Sequence, residues 1–381
     1  MIRWLCAIGV FFFSCDVFAL TEYETRAMQA TEKMLRLKKK LGIDPHDLYK
    51  IARYIETTLK PTLERANGDT NLYIRKEVTG LKRTIEYCRD GRHIFIHLKT
   101  HGIDLIGRGG SKVVSLSIRY DSRAPELVAN CVIVDSNDKE REQRIKSEIN
   151  ALRVLAACPA IAHLFSVSKH TKRDGTKVCS MLLRYYSGGS LKNYFVKKSF
   201  FSEAELKTLS FGFLSGLRAM HAVNLIHGDI SLRNLVLDSA KGRFSGVLID
   251  FGRTCSKREM LQQARIQAAP RNNPPEVFVL DPAFLDPKAA DLYAMGLCLY
   301  RMYYKKEPEW TRAQTEFTQA INMKGAERAS LGKNLAVQIA HTLAQRRNEK
   351  QHSAFAELIL SLCDPNPAKR PSAATLCEQL R

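Results

Sequence analysis

The predicted secondary structure changes along the chain from short strands to helices, and this change constrains the fold more than any other feature. The segments HIFIHL, IDLI, VVSLSI and LVANCVIV are short, apolar and separated by turn residues, a pattern typical of an antiparallel sheet. A helix is predicted over 138–156, and helical periodicity dominates beyond the capping box Ser202-Glu203-Ala204-Glu205. The sequence therefore predicts an α+β fold with a small β-rich lobe over about 93–183 and a larger helical lobe over about 187–381.

Residues 20–92 are predicted to form a helical extension ahead of these lobes. The pattern Thr21-Glu22-Tyr23-Glu24 is a second capping box, and apolar residues recur at helical spacing over 48–59 and over 78–85. This segment contains no catalytic grouping of residues. We therefore expect it to pack against the domain that follows, which spans 93–381.

Residues 1–19 are predicted to be a cleaved signal peptide. A basic residue precedes an apolar run over 4–13, and Val17-Phe18-Ala19 suits cleavage after its last residue. The run is too short for a comfortable membrane span, and Asp16 interrupts its extension. Secretion is therefore the expected localisation. The alternative is a membrane anchor through a retained N-terminus, or through a lipid on Cys15 of the segment FFSC.

The overall charge favours anionic partners without choosing among them. Lys and Arg number 59 against 39 Asp and Glu, which gives a formal net charge of +20. The basic residues are spread along the chain, as on a solvated surface, and no RNA- or DNA-binding signature accompanies them. Nucleic acid is therefore not expected as a partner. A membrane is expected as a partner only if the N-terminus is retained or lipidated.

Two motifs contain the residue types that phosphoryl transfer needs. The first is HGDISLRN at 227–234, and the second is VLIDFG at 247–252. The reaction requires a carboxylate that orients the acceptor hydroxyl and accepts its proton, and Asp229 is placed for that role. It also requires oxygen ligands for Mg²⁺, which Asn234 and Asp250 can supply. The two aspartates lie 21 residues apart, and the two motifs in this order form a strong signal.

These residues resemble the catalytic loop and the metal-binding motif of the eukaryotic-like protein kinases, and the resemblance covers roughly residues 100–380. It implies a two-lobed kinase fold, with ATP and Mg²⁺ as cofactors and protein substrates as partners. It also implies that Asp229 is the catalytic base and that Asn234 and Asp250 bind the metal. The expected reaction is transfer of the γ-phosphoryl group of ATP to a protein hydroxyl.

Segments further along the chain fit the same resemblance in the correct order. Asn273-Pro-Pro-Glu276 replaces the family's Ala-Pro-Glu, and Asp291 resembles the aspartate that braces the catalytic loop. Arg370 lies in a segment that resembles the end of the family's domain, and it is expected to pair with Glu276. These features belong to the peptide platform of protein kinases. They favour that reading over a small-molecule kinase of the aminoglycoside or choline type, which His-Gly-Asp also resembles.

The resemblance also implies a set of nucleotide-binding residues. The turn SGGSL at 187–191 resembles the turn after the hinge, which sets the position of the gatekeeper and of the adenine edge. The implied residues are Gly107, Gly109, Gly110, Lys112 and Val114 of the glycine loop, Ala129, the gatekeeper Leu183, and Arg184 and Tyr186 along the adenine edge.

The lysine that the family carries on its third strand is missing from this sequence. The family places a lysine there, which grips the α- and β-phosphates and pairs with a glutamate on the following helix. Glu148 is the implied glutamate, and Ala129 matches the alanine that contacts adenine. Cys131, however, stands at the lysine position, while Lys112 in GRGGSKVV stands where the glycine loop should have glycine.

The alternation of side chains along strands suggests which residue replaces the missing lysine. Lys112 shares a face with Val114, and Ala129 shares a face with Cys131 on the neighbouring strand. Both faces are expected to look into the nucleotide cavity. The pattern is similar to the with-no-lysine kinases, and it implies that Lys112 holds the phosphates and that Glu148 orients Lys112. The alternative is a solvated loop lysine in a non-catalytic nucleotide-binding pseudokinase scaffold.

Two positions in the catalytic loop depart from the family. The arginine of His-Arg-Asp, which in the family reads a phosphorylated activation loop, is replaced by Gly228. Phosphorylation of the activation loop is therefore not expected to switch the activity on. Serine/threonine kinases have a lysine two residues after the aspartate, where this chain has Ser231. Arg233 stands four residues after it, as in some tyrosine kinases, and is a further catalytic candidate. The with-no-lysine resemblance favours serine or threonine over tyrosine as the acceptor.

A secreted kinase faces a shortage of ATP outside the cytoplasm. The predicted signal peptide precedes a kinase domain whose cysteines show no C-x-x-C spacing and are expected to be reduced, buried thiols. We therefore expect a bacterial effector that is delivered into a host cell and acts on host proteins.

Overall fold

The structure is a computed structural model, and its described residues divide into two compact units. The described residues are 57, 73–77, 84–89, 94–99, 105–108, 112–120, 126–134, 139–171, 177–239, 244–256, 259, 272, 274–278, 286–319, 325–350 and 352–381. One unit comprises residues up to 133 together with 168–170, and the other comprises 134–167 together with 171–381. The predicted signal peptide, residues 1–19, lies outside the described residues.

The first unit, where it is described, is built from antiparallel strands. The strands are β1 (Tyr73–Glu77), β2 (Thr84–Arg89), β3 (Ile94–Lys99), β4 (Leu105–Arg108), β5 (Val113–Tyr120) and β6 (Glu126–Val134). They pair in the order β1-β2-β3-β5-β6, and β4 pairs with β5. The strands predicted in HIFIHL, IDLI, VVSLSI and LVANCVIV are confirmed as β3, β4, β5 and β6.

The prediction of a helical extension over 20–92 is wrong for β1 and β2, which lie inside that segment. Apolar residues over 78–85 are too few to separate helical spacing from strand spacing. β2 reads Thr-Ile-Glu-Tyr-Cys-Arg, which is rich in β-branched and aromatic residues, and it is paired on both sides, with β1 and β3. The helices predicted over 21–59 lie outside the described residues, apart from Thr57.

The second unit is mainly helical. Its helices are α1 (Lys139–Val154), α2 (Leu191–Val196), α3 (Glu203–Ala222), α4 (Pro287–Tyr304), α5 (Thr311–Gln319), α6 (Gly325–Arg347), α7 (Ala354–Leu362) and α8 (Ala373–Gln379). Its strands are β8 (Lys177–Arg184), β9 (Leu225–Ile226), β10 (Leu235–Asp238), β11 (Ser245–Leu248) and β12 (Cys255–Ser256). Strand β7 (Leu164–Thr171) is divided, because its residues 168–170 belong to the first unit. The predicted α+β fold class is confirmed.

Two local predictions in this unit are confirmed. α1 corresponds to the helix predicted over 138–156. At the start of α3, Ser202 N donates to Glu205 Oε2 at 2.8 Å and Glu205 N donates to Ser202 Oγ at 3.3 Å, which completes the capping box. Among helices in the described residues, none is both long enough and apolar enough to cross a membrane.

Helix α4 forms the centre of the second unit's core. Its residues from Ala289 to Met302 are all buried, as expected of a helix that is packed on every side. α3 and α7 pack against α4, and α8 and β11 pack against α3. α4 also carries two charged residues into the core, Asp291 and Arg301, and buried charges require partners.

Helix α3 approaches strand β11 at backbone distance. A Cβ added to Gly212 would lie 2.6 Å from both N and O of Gly246. β10 begins directly after Asn234, and β11 ends two residues before Asp250. This close approach therefore fixes the hairpin that joins the two motifs.

Gly212→Ala tests this contact, because helix propensity and packing predict opposite signs. Alanine in a helix interior is more stable than glycine by about 1 kcal/mol, whereas overpacking costs about 1–3 kcal/mol. Because the clash would be with backbone, which cannot turn aside as a side chain can, we expect a net loss of stability in urea unfolding. Thr208→Ala, at an exposed position of the same helix, is the matched control and should not lower stability. A more stable Gly212→Ala protein would contradict the close approach.

Candidate active site

The candidate catalytic loop, residues 227–234, joins β9 to β10 in the second unit. β9 pairs with β12, and β10 pairs with β11. Because β11 and β12 flank the Asp-Phe-Gly motif at 250–252, these two pairs bring the two motifs together. The fold thereby places Asp229, Asn234 and Asp250 in one neighbourhood.

A buried carboxylate on α4 fixes the start of the loop. Asp291, which is 3% exposed, accepts hydrogen bonds from His227 N at 2.8 Å, Gly228 N at 3.0 Å and His221 Nε2 at 3.1 Å. The predicted contact between Asp291 and the catalytic loop is confirmed. Gly228 has a φ of +70°, a conformation that glycine adopts without steric cost. The glycine at the family's arginine position therefore has a local structural reason.

Asn234 holds the side chain of Asp229. Its Nδ2 donates to Asp229 O at 2.8 Å and to Asp229 Oδ2 at 3.0 Å, so both amide hydrogens are used. The amide oxygen of Asn234 is then the atom that can bind a cation. Arg233, the other candidate in this part of the loop, is exposed.

Burial raises the pKa of the Asp229 carboxyl above its ordinary value, and the positive charge of Arg253 partly offsets this effect. His227 and the hydrogen bond from Asn234 also lower the pKa, whereas the negative charge of Asp250 raises it. A raised pKa suits a group that accepts a proton during the reaction. Sequence reasoning did not identify Arg253, which directly follows Asp-Phe-Gly.

His227 connects the loop to the second motif. Its Nδ1 accepts from Asp229 N at 3.3 Å, and its Nε2 donates to Ile249 O at 3.2 Å. These partners require the proton on Nε2. The rings of His227 and the buried Phe251 lie 5.2 Å apart, centroid to centroid. The imidazole therefore maintains the spacing between the two motifs.

Asp250 and Asn234 can supply two oxygen ligands to Mg²⁺. Asp250 is exposed and has a φ of +63°, an uncommon backbone conformation that clusters at functional sites. The described part of the chain holds no group of three or more His, Cys, Asp or Glu side chains that could bind a metal. Mg²⁺ at nucleotide sites usually takes one or two protein ligands and completes its shell with water and phosphate oxygens. The donor set therefore fits a Mg²⁺ ion that is shared with a nucleotide.

The first unit carries the predicted glycine-loop and strand residues. β5 and β6 pair with Val114 opposite Cys131 and Leu116 opposite Ala129. Directly opposed residues share a face of an antiparallel pair, and strand alternation extends that face to Lys112, which immediately precedes β5 and is half-buried. This register agrees with the face predicted for Lys112, and its role stays a prediction.

Other predicted nucleotide-binding residues are described only in part. Gly107 lies in β4, where an added Cβ would meet no described atom within 4 Å. Gly109 and Gly110 lie outside the described residues. Glu148 on α1 is 2% exposed. Lys112 belongs to the first unit and Glu148 to the second, so the ion pair between them stays a prediction.

The predicted hinge residues make contacts within the second unit. Arg184 Nη2 lies 3.2 Å from Asp238 Oδ2, and the Arg184 guanidinium lies 5.7 Å from the centroid of the Tyr186 ring. The Tyr186 hydroxyl accepts from His163 N at 3.2 Å. Leu183 is half-buried. The contacts of these residues with adenine stay predictions.

The predicted pair between Arg370 and Glu276 is confirmed. Nη1 and Nη2 of Arg370 donate to Oε1 and Oε2 of Glu276 at 2.5 and 2.9 Å, and Nη1 also donates to Ala289 O at 3.0 Å. Both side chains are buried, and this two-point geometry compensates for the loss of water. The pair fastens the segment after the activation loop to α4.

A second buried contact beneath the loop was not identified from the sequence. Asn272 Nδ2 donates to Ile230 O at 2.8 Å, and Arg301 Nη1 donates to Asn272 Oδ1 at 3.2 Å. Arg301 Nε also donates to Glu307 Oε2 at 2.7 Å. The sequence signal is weak, because a single asparagine and a single arginine 29 residues apart belong to no motif. This network supports the residue that follows Asp229.

Comparison with known proteins assigns this chain to a family. Residues 100–380 match the family model of the protein kinase domain. The chain belongs to the protein kinase family. The protein kinase fold predicted from the sequence is therefore confirmed, while the relocated lysine stays a prediction.

Several characterised kinases are similar to this chain over part of their length. The fatty acyl-CoA synthetase and RNA processing-associated kinase 1 of Saccharomyces cerevisiae is 30% identical over 168 residues, which cover 43% of this chain and 18% of the yeast protein. The serine/threonine-protein kinase KIN4 of the same yeast is 30% identical over 169 residues, covering 43% and 20%. The liver/testis phosphorylase b kinase gamma catalytic chain of Mus musculus is 24% identical over 220 residues, covering 55% and 52%. The chain thus spans between about a fifth and about half of the length of these relatives.

Asn272→Ala should destabilise the protein and reduce its activity. The substitution leaves Ile230 O without its donor and the buried Arg301 without one acceptor, and an unsatisfied buried group costs about 1–3 kcal/mol. We expect a lower midpoint in urea unfolding and a lower kcat. Asn348→Ala, at an exposed position after α6, is the control and should leave both unchanged. Equal unfolding midpoints for the two variants would show that the network does not support the loop.

Proposed function

We propose that this protein transfers the terminal phosphoryl group of ATP to a serine or threonine hydroxyl of a protein. The observation that carries the proposal is the arrangement of three side chains in the second unit. Asn234 donates to Asp229, and Asp250 lies close enough for its charge to act on Asp229. Membership of the protein kinase family supports the proposal, because that family generally uses ATP and Mg²⁺.

The proposed chemistry assigns a role to each residue. The acceptor oxygen bonds to the terminal phosphorus, its proton passes to the carboxylate of Asp229, and ADP leaves with the electrons of the broken bond. Asn234 keeps the Asp229 carboxylate in place through its hydrogen bond. A Mg²⁺ ion on Asp250 and Asn234 would neutralise negative charge on the phosphates. Lys112 is proposed to hold the α- and β-phosphates, with Glu148 as the residue that orients it.

The proposed acceptor class rests on two likenesses. One relative is named a serine/threonine-protein kinase, and the glycine loop is similar to that of the with-no-lysine kinases. Arg233 points toward tyrosine instead. Phosphoamino-acid analysis of labelled acceptor protein separates the two: we expect phosphoserine or phosphothreonine, and phosphotyrosine alone would show that Arg233 is the better guide.

Lys112→Met should abolish most of the activity while the protein stays folded. Removal of one preorganised cationic contact typically costs about a hundredfold or more in rate, and residue 112 precedes β5 at a half-buried position. Transfer of labelled phosphate from Mg-ATP to generic protein acceptors measures the effect. Lys333→Met, at an exposed position of α6, is the matched control and should retain full activity.

Rescue makes this test specific. Cys131→Lys in the Lys112→Met background should restore part of the activity, because strand alternation predicts that Lys112 shares the face of Val114, which lies opposite Cys131. Cys131→Ala alone should have a much smaller effect than Lys112→Met, since a small buried thiol contributes packing and no charge. Full activity in Lys112→Met would refute the relocated lysine. Nucleotide binding without any transfer by the unmodified protein would favour the pseudokinase scaffold.

We also propose that the protein is exported and loses residues 1–19. The support is the sequence pattern of a basic residue, an apolar run and Val17-Phe18-Ala19. Mass spectrometry of material recovered outside the producing cell should show an N-terminus at Leu20. An intact Met1 in that material would exclude cleavage, and recovery solely from the producer's cytoplasm would exclude an effector that acts on host proteins.

A further inference from the structure

The described residues around Asp229 include two carboxylates, although the transferred phosphoryl group is itself negatively charged. A transferred phosphoryl group spreads negative charge over its oxygens, and enzymes stabilise this charge with cations held in place beforehand. The second unit presents two carboxylates there, Asp229 and Asp250. Within the catalytic loop, Ser231 is neutral, and Arg233 is exposed four residues beyond Asp229. Another segment of the second unit can also bring a cation to the base.

The strand pair between β9 and β12 brings such a cation into position. Cys255 pairs with Ile226 and Ser256 with Leu225 in antiparallel register. Arg253 lies two residues before β12 and Gly228 lies two residues after β9, so this pairing brings their segments close together, and Gly228 directly precedes Asp229.

The backbone around Arg253 is fixed from both sides. Phe251 is 1% exposed and Thr254 is 6% exposed. Thr254 N donates to Phe251 O at 3.0 Å, which closes a turn around Arg253. Arg253 itself is exposed, and its positive charge lowers the pKa of Asp229. The turn therefore holds the backbone of an exposed arginine between two buried residues.

We propose that Arg253 binds the phosphoryl group during its transfer, as a cation supplied from outside the catalytic loop. The inference rests on the proposed phosphotransferase function and deepens it. A planar guanidinium can donate two parallel hydrogen bonds to phosphate oxygens, which suits an anion that is passing between ATP and the acceptor. Arg253 therefore contributes to transition-state binding and little to the binding of ADP.

The test separates ground-state binding from transition-state binding. ADP with Mg²⁺ represents the product, and the same mixture with aluminium fluoride adds an anion in place of the transferred phosphoryl group. Calorimetric titration of both mixtures into the full chain gives the tightening that aluminium fluoride causes. We expect Arg253→Met to keep the ADP affinity within about twofold and to lose most of the tightening, with kcat lowered about a hundredfold.

Matched variants make the result specific. Arg253→Lys should retain part of the tightening because it keeps the charge without the planar fork. Arg312→Met, which removes an arginine whose side chain is 92% exposed on α5, should behave as the unmodified protein does. Ser231→Lys in the Arg253→Met background should return part of both kcat and tightening, since it places a cation two residues after Asp229. Preserved ADP binding shows that each variant is folded.

Each outcome decides the inference. Unchanged tightening in Arg253→Met, while the unmodified protein is active, overturns the role of Arg253 and leaves the proposed function standing. Loss in Arg233→Met together with unchanged Arg253→Met assigns the role to Arg233 and overturns it as well. An unmodified protein that shows neither transfer nor tightening overturns the proposed function and this inference together. If Arg253→Met loses ADP binding through misfolding, the same comparison is made with Arg253→Gln.

Discussion

The geometry of the candidate site depends on one buried carboxylate. Asp291 accepts hydrogen bonds from two consecutive backbone N–H groups of the catalytic loop and from His221. An unsatisfied buried donor costs about 1–3 kcal/mol, so the loop has one strongly preferred path past α4. α4 can provide this fixed point because it is buried along almost its whole length. The catalytic loop, which has no regular secondary structure, thus takes its conformation from a helix that is buried along almost its whole length.

Further contacts fix the position of the second motif relative to the catalytic loop. The close approach of Gly212 to Gly246 fixes the β10–β11 hairpin, which starts after Asn234 and ends before Asp250. His227 then bridges the two motifs with both ring nitrogens. Residues that are 21 positions apart in sequence therefore meet with little freedom, which is what a metal ligand and a base require of each other.

The sequence revealed the parts of the site that are encoded locally. Asp229, Asn234 and Asp250 could be found because each lies at a fixed offset within a short motif, and the strands from β3 to β6 could be found because turn residues bound them. β1 and β2 could not be told from helix, since their neighbours in the sheet decide their conformation. Asn272, Arg301 and Arg253 were missed because their roles arise from contacts that no local pattern records. Such contacts depend on the packing of distant segments.

The proposed roles of Lys112 and Arg253 share one physical basis. Cys131, Gly228 and Ser231 stand where the family has lysine, arginine and lysine. Lys112 directly precedes β5, which pairs with the strand of Cys131, and Arg253 lies two residues before β12, which pairs with β9. Electrostatic stabilisation depends on the distance between charges and on the local dielectric, and not on the position of a residue in the sequence. On this basis a cation can act from a neighbouring segment, provided that its side chain ends in the same volume. Glycine at 228 has a φ of +70°, which suits the turn that directs its N–H toward Asp291.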